Sequence, residues 1–205
     1  ALAAARQAYP SALIWVGVRQ GSEGILAGCS AVDRVIGSAP PEAAKRQRRG
    51  WIDELALLRE IRRQQFDYAF ELTHGDRGRL LTAWSGARFR CAHDCVYPLP
   101  RFWRPWFNRR STHDWSSDHQ AKVGFDLVNE FLPLSQTEPP PLVFDRSRTA
   151  PGDLGHGLSN YAVIHPGTRW QRKRWPVEKW ILTGRALLQS FSQLVVSVGP
   201  DPEEV

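Results

Sequence analysis

The stretch YAVIHPGTRWQRKRWPVEKWILTGRALL (residues 161–188) decides the fold predicted for this chain. Its first four residues, Tyr161 to Ile164, form an apolar run that predicts a buried strand. A helix is predicted from Val177 to Leu188, just after Pro176, because proline favours the start of a helix. A second apolar run, Leu194 to Val198, predicts another strand. Strand, helix and strand in this order form a βαβ unit with parallel strands.

The chain upstream shows the same alternation of apolar runs and amphipathic segments. Period-two and apolar runs predict strands, and apolar residues three or four apart predict helices. The predicted strands are 12–16, 32–36, 66–72 and 88–91, and the predicted helices are 52–61, 80–84 and 118–132. Residues 97–115 are crowded with Arg, Trp, Phe and Pro, show no period and are interpreted as a loop-rich insertion.

A change of composition divides the chain. Residues 135–157 are rich in Pro and Gly, which is typical of an interdomain linker. We therefore predict an α/β fold with two parallel-sheet domains. Residues 1–134 are expected to form most of the first domain, and residues 158–205 are expected to begin the second.

Composition limits the classes of function. The chain has 205 residues, 42% of them hydrophobic and 23% charged, which excludes disordered and membrane-spanning classes. Its net charge is +6, and only four of its 27 basic residues are lysine. Arginine suits phosphate and carboxylate partners, although such a bias is also explained by genome composition. Three cysteines favour a reducing cytoplasm, and Cys91, His93 and Cys95 lack the further ligands of a structural zinc site.

The loop 165–176 between the predicted strand and helix is the most informative candidate site. Open α/β sheets bind ligands at the carboxyl ends of their strands, and helix amino ends attract anions. Gly167 allows close approach of the backbone, Thr168 supplies a hydroxyl, and Arg169, Lys173 and their neighbours supply positive charge. A phosphate or pyrophosphate fits this pattern. The alternative is a solvated basic loop with tryptophans that serve packing.

These residues carry a family resemblance. The run HPGTRW, then Lys173 and Trp175-Pro176, followed by VVSVGP and Glu203, resembles the donor-binding half of glycosyltransferase family 9, the lipopolysaccharide heptosyltransferases, and its heptosyltransferase III branch in particular. FDYAFEL (66–72) and LLTAWSGAR (80–88) are similar to elements of the family's acceptor-binding domain. The resemblance implies a GT-B fold of two Rossmann-like domains. It also implies inverting, metal-independent and cofactor-free transfer of heptose from an ADP-heptose-type donor to a lipopolysaccharide inner-core acceptor.

The resemblance also assigns roles to residues. Thr168 and Lys173 match positions that hold the donor phosphates, and Glu203, or alternatively Glu204, matches an acid that contacts the ribose. The family's general-base aspartate lies in a loop upstream of this chain, and a further donor-binding stretch lies downstream. We therefore expect a fragment that is inactive alone. Asp76 is an alternative base, although its His-Gly-Asp setting favours a turn or capping role.

The basic and aromatic segment 101–110 is the second candidate site. Arg104, Arg109 and Arg110 are expected, with Trp103 and Trp106, to face an anionic acceptor or the inner face of the inner membrane. The same residue types suit single-stranded nucleic acid, which stays open as an alternative function, although we expect no nucleic-acid partner because no known motif accompanies them. Two further alternatives are an ordinary surface insertion and a non-catalytic remnant.

Overall fold

A computed structural model describes residues 1–38, 48–145, 157–168 and 171–198. The chain divides into two compact units, residues 1–149 and residues 150–205. Each unit is an α/β structure whose strands pair in parallel. This confirms the predicted fold class. Four predictions fall outside the described residues: Arg169, Glu203, the alternative Glu204, and residues 146–156 of the predicted linker.

The first unit opens with helix α1 (Leu2–Ala8) and a parallel pair of strands, β1 (Trp15–Arg19) and β2 (Arg34–Ser38). The β1 strand begins three residues later than the sequence predicted. The reason is a local hydrogen bond: the Ile14 amide donates to the Asp33 carboxylate instead of to a neighbouring strand. The same carboxylate pairs with Arg6 at 2.6 Å. The apolar residues before Trp15 therefore lead into the strand without joining its ladder.

A three-stranded sheet contains the end of the basic and aromatic segment 101–110. Its strands are β3 (Tyr68–Glu71), β4 (Phe89–His93) and β5 (Arg109–Ser111), in the order β3-β4-β5. Residues 97–115, predicted as a loop-rich insertion, also contain a short strand that was not predicted, because β5 lies within them and pairs in parallel with β4. Its sequence, two exposed arginines and a buried serine, contains no apolar run that would predict a strand.

Three more helices follow α1 in this unit: α2 (Arg48–Arg63), α3 (Asp76–Trp84) and α4 (Gln120–Phe131). Apolar residues at three-residue steps, Leu55, Leu58 and Ile61 among them, predict one packed face on α2. This is partly wrong, because Leu58 and Ile61 are buried while Leu55 is 45% exposed. Helix α4 contributes most to the core: Phe125 and Leu127 are fully buried, as is Cys91 on β4. The three cysteines of the chain, Cys29, Cys91 and Cys95, are free thiols.

The second unit contains strand β6 (Tyr161–Ile164), helix α5 (Val177–Leu187) and strand β7 (Gln193–Val196). Strands β6 and β7 are parallel, with Tyr161 opposite Gln193 and Ile164 opposite Val196, which confirms the predicted βαβ unit. Gly184 is the one buried residue of α5. Within the described part of the chain, no helix combines the length and apolar character needed to cross a bilayer.

Candidate functional site

The loop after β6 lies where the sequence predicted a ligand site, between the carboxyl end of a parallel strand and the amino end of a helix. Its start is fixed to β7: the Ser197 amide donates to the Ile164 carbonyl at 2.9 Å, and His165 Nδ1 lies 2.9 Å from the Ser197 carbonyl. Gly167 and Thr168 follow and are half-buried. The loop therefore leaves the sheet in a defined direction.

A short 3₁₀ turn, Gln171–Lys173, brings cationic residues ahead of helix α5. Lys173 is exposed. Beyond it the Trp175 and Trp180 rings meet edge to face at 5.3 Å, and Lys179 Nζ lies 5.9 Å from the centre of the Trp175 ring. The first amides of α5 point out of the helix end, as in every α-helix, and form an anion-attracting terminus. This combination of backbone donors and cations is suited to phosphate oxygens.

The basic segment of the first unit is tied into its own structure. Trp103 Nε1 donates to Asp76 Oδ1 at 2.9 Å, and Arg104 and Arg110 pair with the two oxygens of Asp94 at 3.3 and 3.2 Å. The Asp94 side chain is only 8% exposed and also accepts the Leu99 amide. Part of the segment's positive charge is thus compensated by one buried carboxylate.

The other members of this segment are more open. Trp106 is 50% exposed at the end of the 3₁₀ turn Arg104–Trp106. The guanidinium of Arg109 lies 4.8 Å from the centre of the Phe89 ring. Asp76, considered as a substitute base, accepts hydrogen bonds from both Trp103 and Arg79, which is the structural role that its turn setting favours.

The structure also gathers four rings that sequence reasoning missed as a group: His74, His93, Tyr97 and Trp115. Their centroids lie between 4.9 and 5.6 Å apart in five pairs. His74 follows β3 and has a left-handed backbone with φ of 56°, while His93 ends β4. The signal in the sequence was that two neighbouring parallel strands each end near a histidine, so both rings reach the same sheet edge.

Burial determines the charge of these histidines. It is the main cause that lowers the pKa of His74, and the positive charge of Arg79 adds to the effect. Burial also lowers the pKa of His93, helped by the neighbouring His74. Near neutral pH both rings are therefore uncharged, and each offers one donor and one acceptor.

The comparisons with known proteins agree with this architecture. A family model described as glycosyltransferase family 9 (heptosyltransferase) matches residues 54–205. No curated protein matches the sequence. Among solved structures, the chain is similar to the Escherichia coli heptosyltransferase WaaC with ADP, with 23% identity, a TM-score of 0.69, and coverage of 99% of this chain and 62% of that one.

Two further structures show the same fold. A glycosyl transferase family 9 protein from Veillonella parvula has 20% identity and a TM-score of 0.68, and the match covers 97% of this chain and 57% of that one. The E. coli ADP-heptose lipopolysaccharide heptosyltransferase II has 17% identity and a TM-score of 0.63, with coverage of 95% and 58%. The chain thus spans about 60% of the length of these relatives.

Proposed function

Because this chain belongs to glycosyltransferase family 9, the heptosyltransferases, we propose that it serves the transfer of a heptose from an ADP-heptose-type donor to a lipopolysaccharide inner-core acceptor. The observation that carries this proposal is the loop 165–176 between β6 and α5, within the segment that the family model matches. Two of the similar structures contain ADP or an ADP-heptose analogue, which supports a nucleotide-sugar donor. The complete reaction belongs to the proposal, since the chain spans only part of those relatives.

In the proposed reaction, an acceptor hydroxyl oxygen forms a bond to the anomeric carbon of the heptose. The bond from that carbon to the diphosphate breaks, and the hydroxyl proton passes to a base. A single displacement of this kind inverts the configuration at the carbon. Negative charge grows on the departing diphosphate, and in a metal-independent reaction it must be stabilised by protein donors already in place. We assign that role to Lys173, with the Thr168 hydroxyl and the loop amides beside Gly167. Arg169 is assigned a donor contact because it belongs to the same basic stretch of sequence. Glu203 is assigned the ribose contact that the resemblance implies.

Binding of ADP to the 205-residue chain tests this assignment, measured by ligand-observed NMR because we expect weak affinity. Lys173→Ala should weaken binding by roughly 1.5–3 kcal/mol, or about 10- to 150-fold, the range of a charge-assisted hydrogen bond. Thr168→Ala should cost less. Lys122→Ala is the matched control, because it removes the same charge from the first unit, where Lys122 pairs with Asp126 at 3.0 Å. Equal ADP binding by Lys173→Ala and Lys122→Ala would remove Lys173 from the donor site.

We also propose that Arg104, Arg109 and Arg110, with Trp103 and Trp106, form the surface that meets the acceptor or the inner membrane face that carries it. Asp94 compensates part of this charge. Two single changes therefore shift the surface in opposite directions. Arg109→Ala removes a cation, whereas Asp94→Asn removes the compensating anion and keeps an oxygen for the Leu99 amide.

Sedimentation with vesicles that contain anionic lipid checks this surface. We expect Arg109→Ala to bind less than the parent and Asp94→Asn to bind more. Both differences should shrink as salt increases, because exposed charges are screened over about 8 Å at physiological ionic strength. If both variants bind like the parent, the segment is ordinary surface. If a single-stranded oligonucleotide binds as tightly as the vesicles do, the alternative that this segment binds nucleic acid is favoured.

A further inference from the structure

A polar cavity of about 530 Å³ lies in the first unit beside the ends of β4 and β5. Its size is that of a site for a small organic ligand. Strand ends and the loop after β5 form one side, and helix α4 forms the other. The polar side chains that line it include His93, Thr112, His113, Asp126, Asn129 and Glu130. Neither the donor loop nor the basic segment 101–110 contributes to this lining.

His93 is the unusual member of the lining. It is only 3% exposed, yet neither ring nitrogen completes a hydrogen bond. The backbone of Val123 lies near the ring and raises its pKa, but it forms no hydrogen bond of normal geometry with either nitrogen. Buried polar groups in folded proteins are normally paired with protein, water or ligand. An imidazole that lines a cavity with both nitrogens unpaired therefore indicates that something polar binds there.

A cation is a poor candidate for that partner. His113, Asp118 and Asp126 bring ligand atoms within 4.8 Å of one another, a spacing at which a metal ion fits. However, Lys122 Nζ already lies 3.1 and 3.0 Å from the two oxygens of Asp126, and it lies 4.0 Å from Glu138. The ammonium of Lys122 thus already compensates the Asp126 carboxylate that a metal ion would need.

An anion is also disfavoured, because the Glu130 carboxylate lines the cavity and repels phosphate or carboxylate groups, while the charge of Lys122 is already engaged by Asp126. An uncharged ligand with hydroxyl groups fits better. A hydroxyl both donates and accepts, and so it matches the one donor and one acceptor of a neutral imidazole. Thr112, Asn129 and Glu130, which are exposed or half-buried, supply further groups of the kind that bind hydroxyls.

We propose that this cavity binds an uncharged sugar unit of the acceptor through its hydroxyl groups, with His93 at the base of the site. The inference rests on the proposed function, since it divides acceptor recognition between two surfaces of the first unit. The arginines of segment 101–110 meet the anionic groups, and the cavity beside α4 holds a neutral sugar.

NMR of the histidine side chains tests the proposal with the 205-residue chain labelled with ¹⁵N. The probes are methyl α-mannopyranoside as an uncharged sugar, inorganic phosphate and zinc chloride, each titrated separately. We expect the sugar to shift the ring nitrogens of His93 in a saturable manner. Phosphate at the same concentration should leave them unchanged. If zinc shifts His93 and His113 at equimolar concentration, the cavity is a metal site and the proposal is wrong. A shift with phosphate but not with sugar also overturns it.

Variants sharpen the test. His93→Phe keeps a buried ring and removes both nitrogens, and it should weaken sugar binding at least tenfold. His119→Asn is the matched control, because it removes an imidazole outside the cavity and keeps a side chain that caps α4. Glu130→Ala, at an exposed position of the lining, gives a second test if His93→Phe fails to fold. Unchanged sugar binding in Glu130→Ala and His93→Phe would overturn the proposal.

ADP titration separates this inference from the proposed function. The cavity belongs to the first unit and the donor loop to the second. If Lys173→Ala loses ADP binding and no sugar binds at His93, the proposed donor site is supported and the proposal of a sugar site in the cavity is wrong. Sugar binding at His93 without any ADP binding would support the cavity as a sugar site and contradict the proposed donor.

Discussion

The two units differ in how they bury apolar side chains. In the first unit, Phe125 and Leu127 are fully buried on α4, a helix that contacts strands β4 and β5. In the second unit, Val163 on β6 is 57% exposed, and Ile181 and Leu182 on α5 are 50% and 64% exposed. Both units nevertheless have parallel strands joined through a helix. Strand pairing and direction thus follow from local pattern and chain connection even where little core is built.

Three predictions test whether this contrast in burial is also a contrast in stability. The first has the largest expected effect. Phe125→Ala should destabilise the first unit by roughly 3–5 kcal/mol, because it leaves a cavity in a closed core. Ile181→Ala should cost less than about 1 kcal/mol, because half of its side chain is already in water. Urea unfolding followed by circular dichroism measures both. Comparable losses in the two variants would show that the second unit is stabilised as much as the first.

Two glycines within helices, Gly78 in α3 and Gly184 in α5, give the second prediction. A Cβ on Gly78 would lie 2.5 Å from Thr73 Oγ1 and 2.7 Å from Glu71 Oε1, two atoms that hydrogen-bond each other beside a buried carboxylate. Gly78→Ala should therefore cost about 1–3 kcal/mol by breaking that pair.

Gly184→Ala is the counterpart in the second unit. Its Cβ would lie 2.9 Å from Leu194 Cδ2, the end of a flexible side chain in a unit with open packing. The helix propensity of alanine, about 1 kcal/mol better than glycine, should offset the adjustment. We expect near-neutral stability in thermal unfolding. A strong loss of stability in Gly184→Ala, or no loss in Gly78→Ala, would contradict the inference that the second unit is packed more openly than the first.

The third prediction concerns pH and has the smallest expected effect. The pKa values of His74 and His93 are lowered in the folded state from the ordinary value of 6.5. The unfolded chain therefore binds protons more readily, so the stabilising effect is complete above about pH 6.5 and is lost as the pH falls below it. Urea midpoints of the parent should decline from pH 7 towards pH 5. A double variant, His74→Phe with His93→Phe, should decline less steeply, and His119→Asn should follow the parent.

The sequence predicted the second unit better than the first. Strand β6 has the predicted bounds and helix α5 ends within one residue of its predicted end, because an apolar run and a proline mark them clearly. Strand β5 was not predicted, since Arg109 and Arg110 gain their strand conformation by pairing with β4 and carry no apolar signal. The face of α2 was misjudged at Leu55 because a three-residue spacing does not reveal which turns meet the sheet.

The candidate sites likewise could be predicted only where their residues are close together in the sequence. The donor loop is contiguous in sequence, so residue types and position were enough to single it out. The cavity beside α4 joins His93 with Asp126 and Glu130, residues more than 30 positions apart, and only the fold brings them together. The pairing of Arg104 and Arg110 with Asp94 was equally invisible, because a carboxylate ten or more residues away gives no local pattern.

The three thiols of the first unit differ in burial, so their reaction with a thiol reagent can measure how often its core opens. Burial raises the pKa of Cys91 to about 12, so this thiol stays protonated and unreactive while the core is closed. Cys29 is also buried, whereas Cys95 is half-buried near the end of β4. A thiol reagent should therefore label Cys95 first, and Cys91 only at the rate at which the sheet separates from α4. The sequence has no cysteine beyond residue 95, so the labelling rate reports on the first unit alone and needs no mutation.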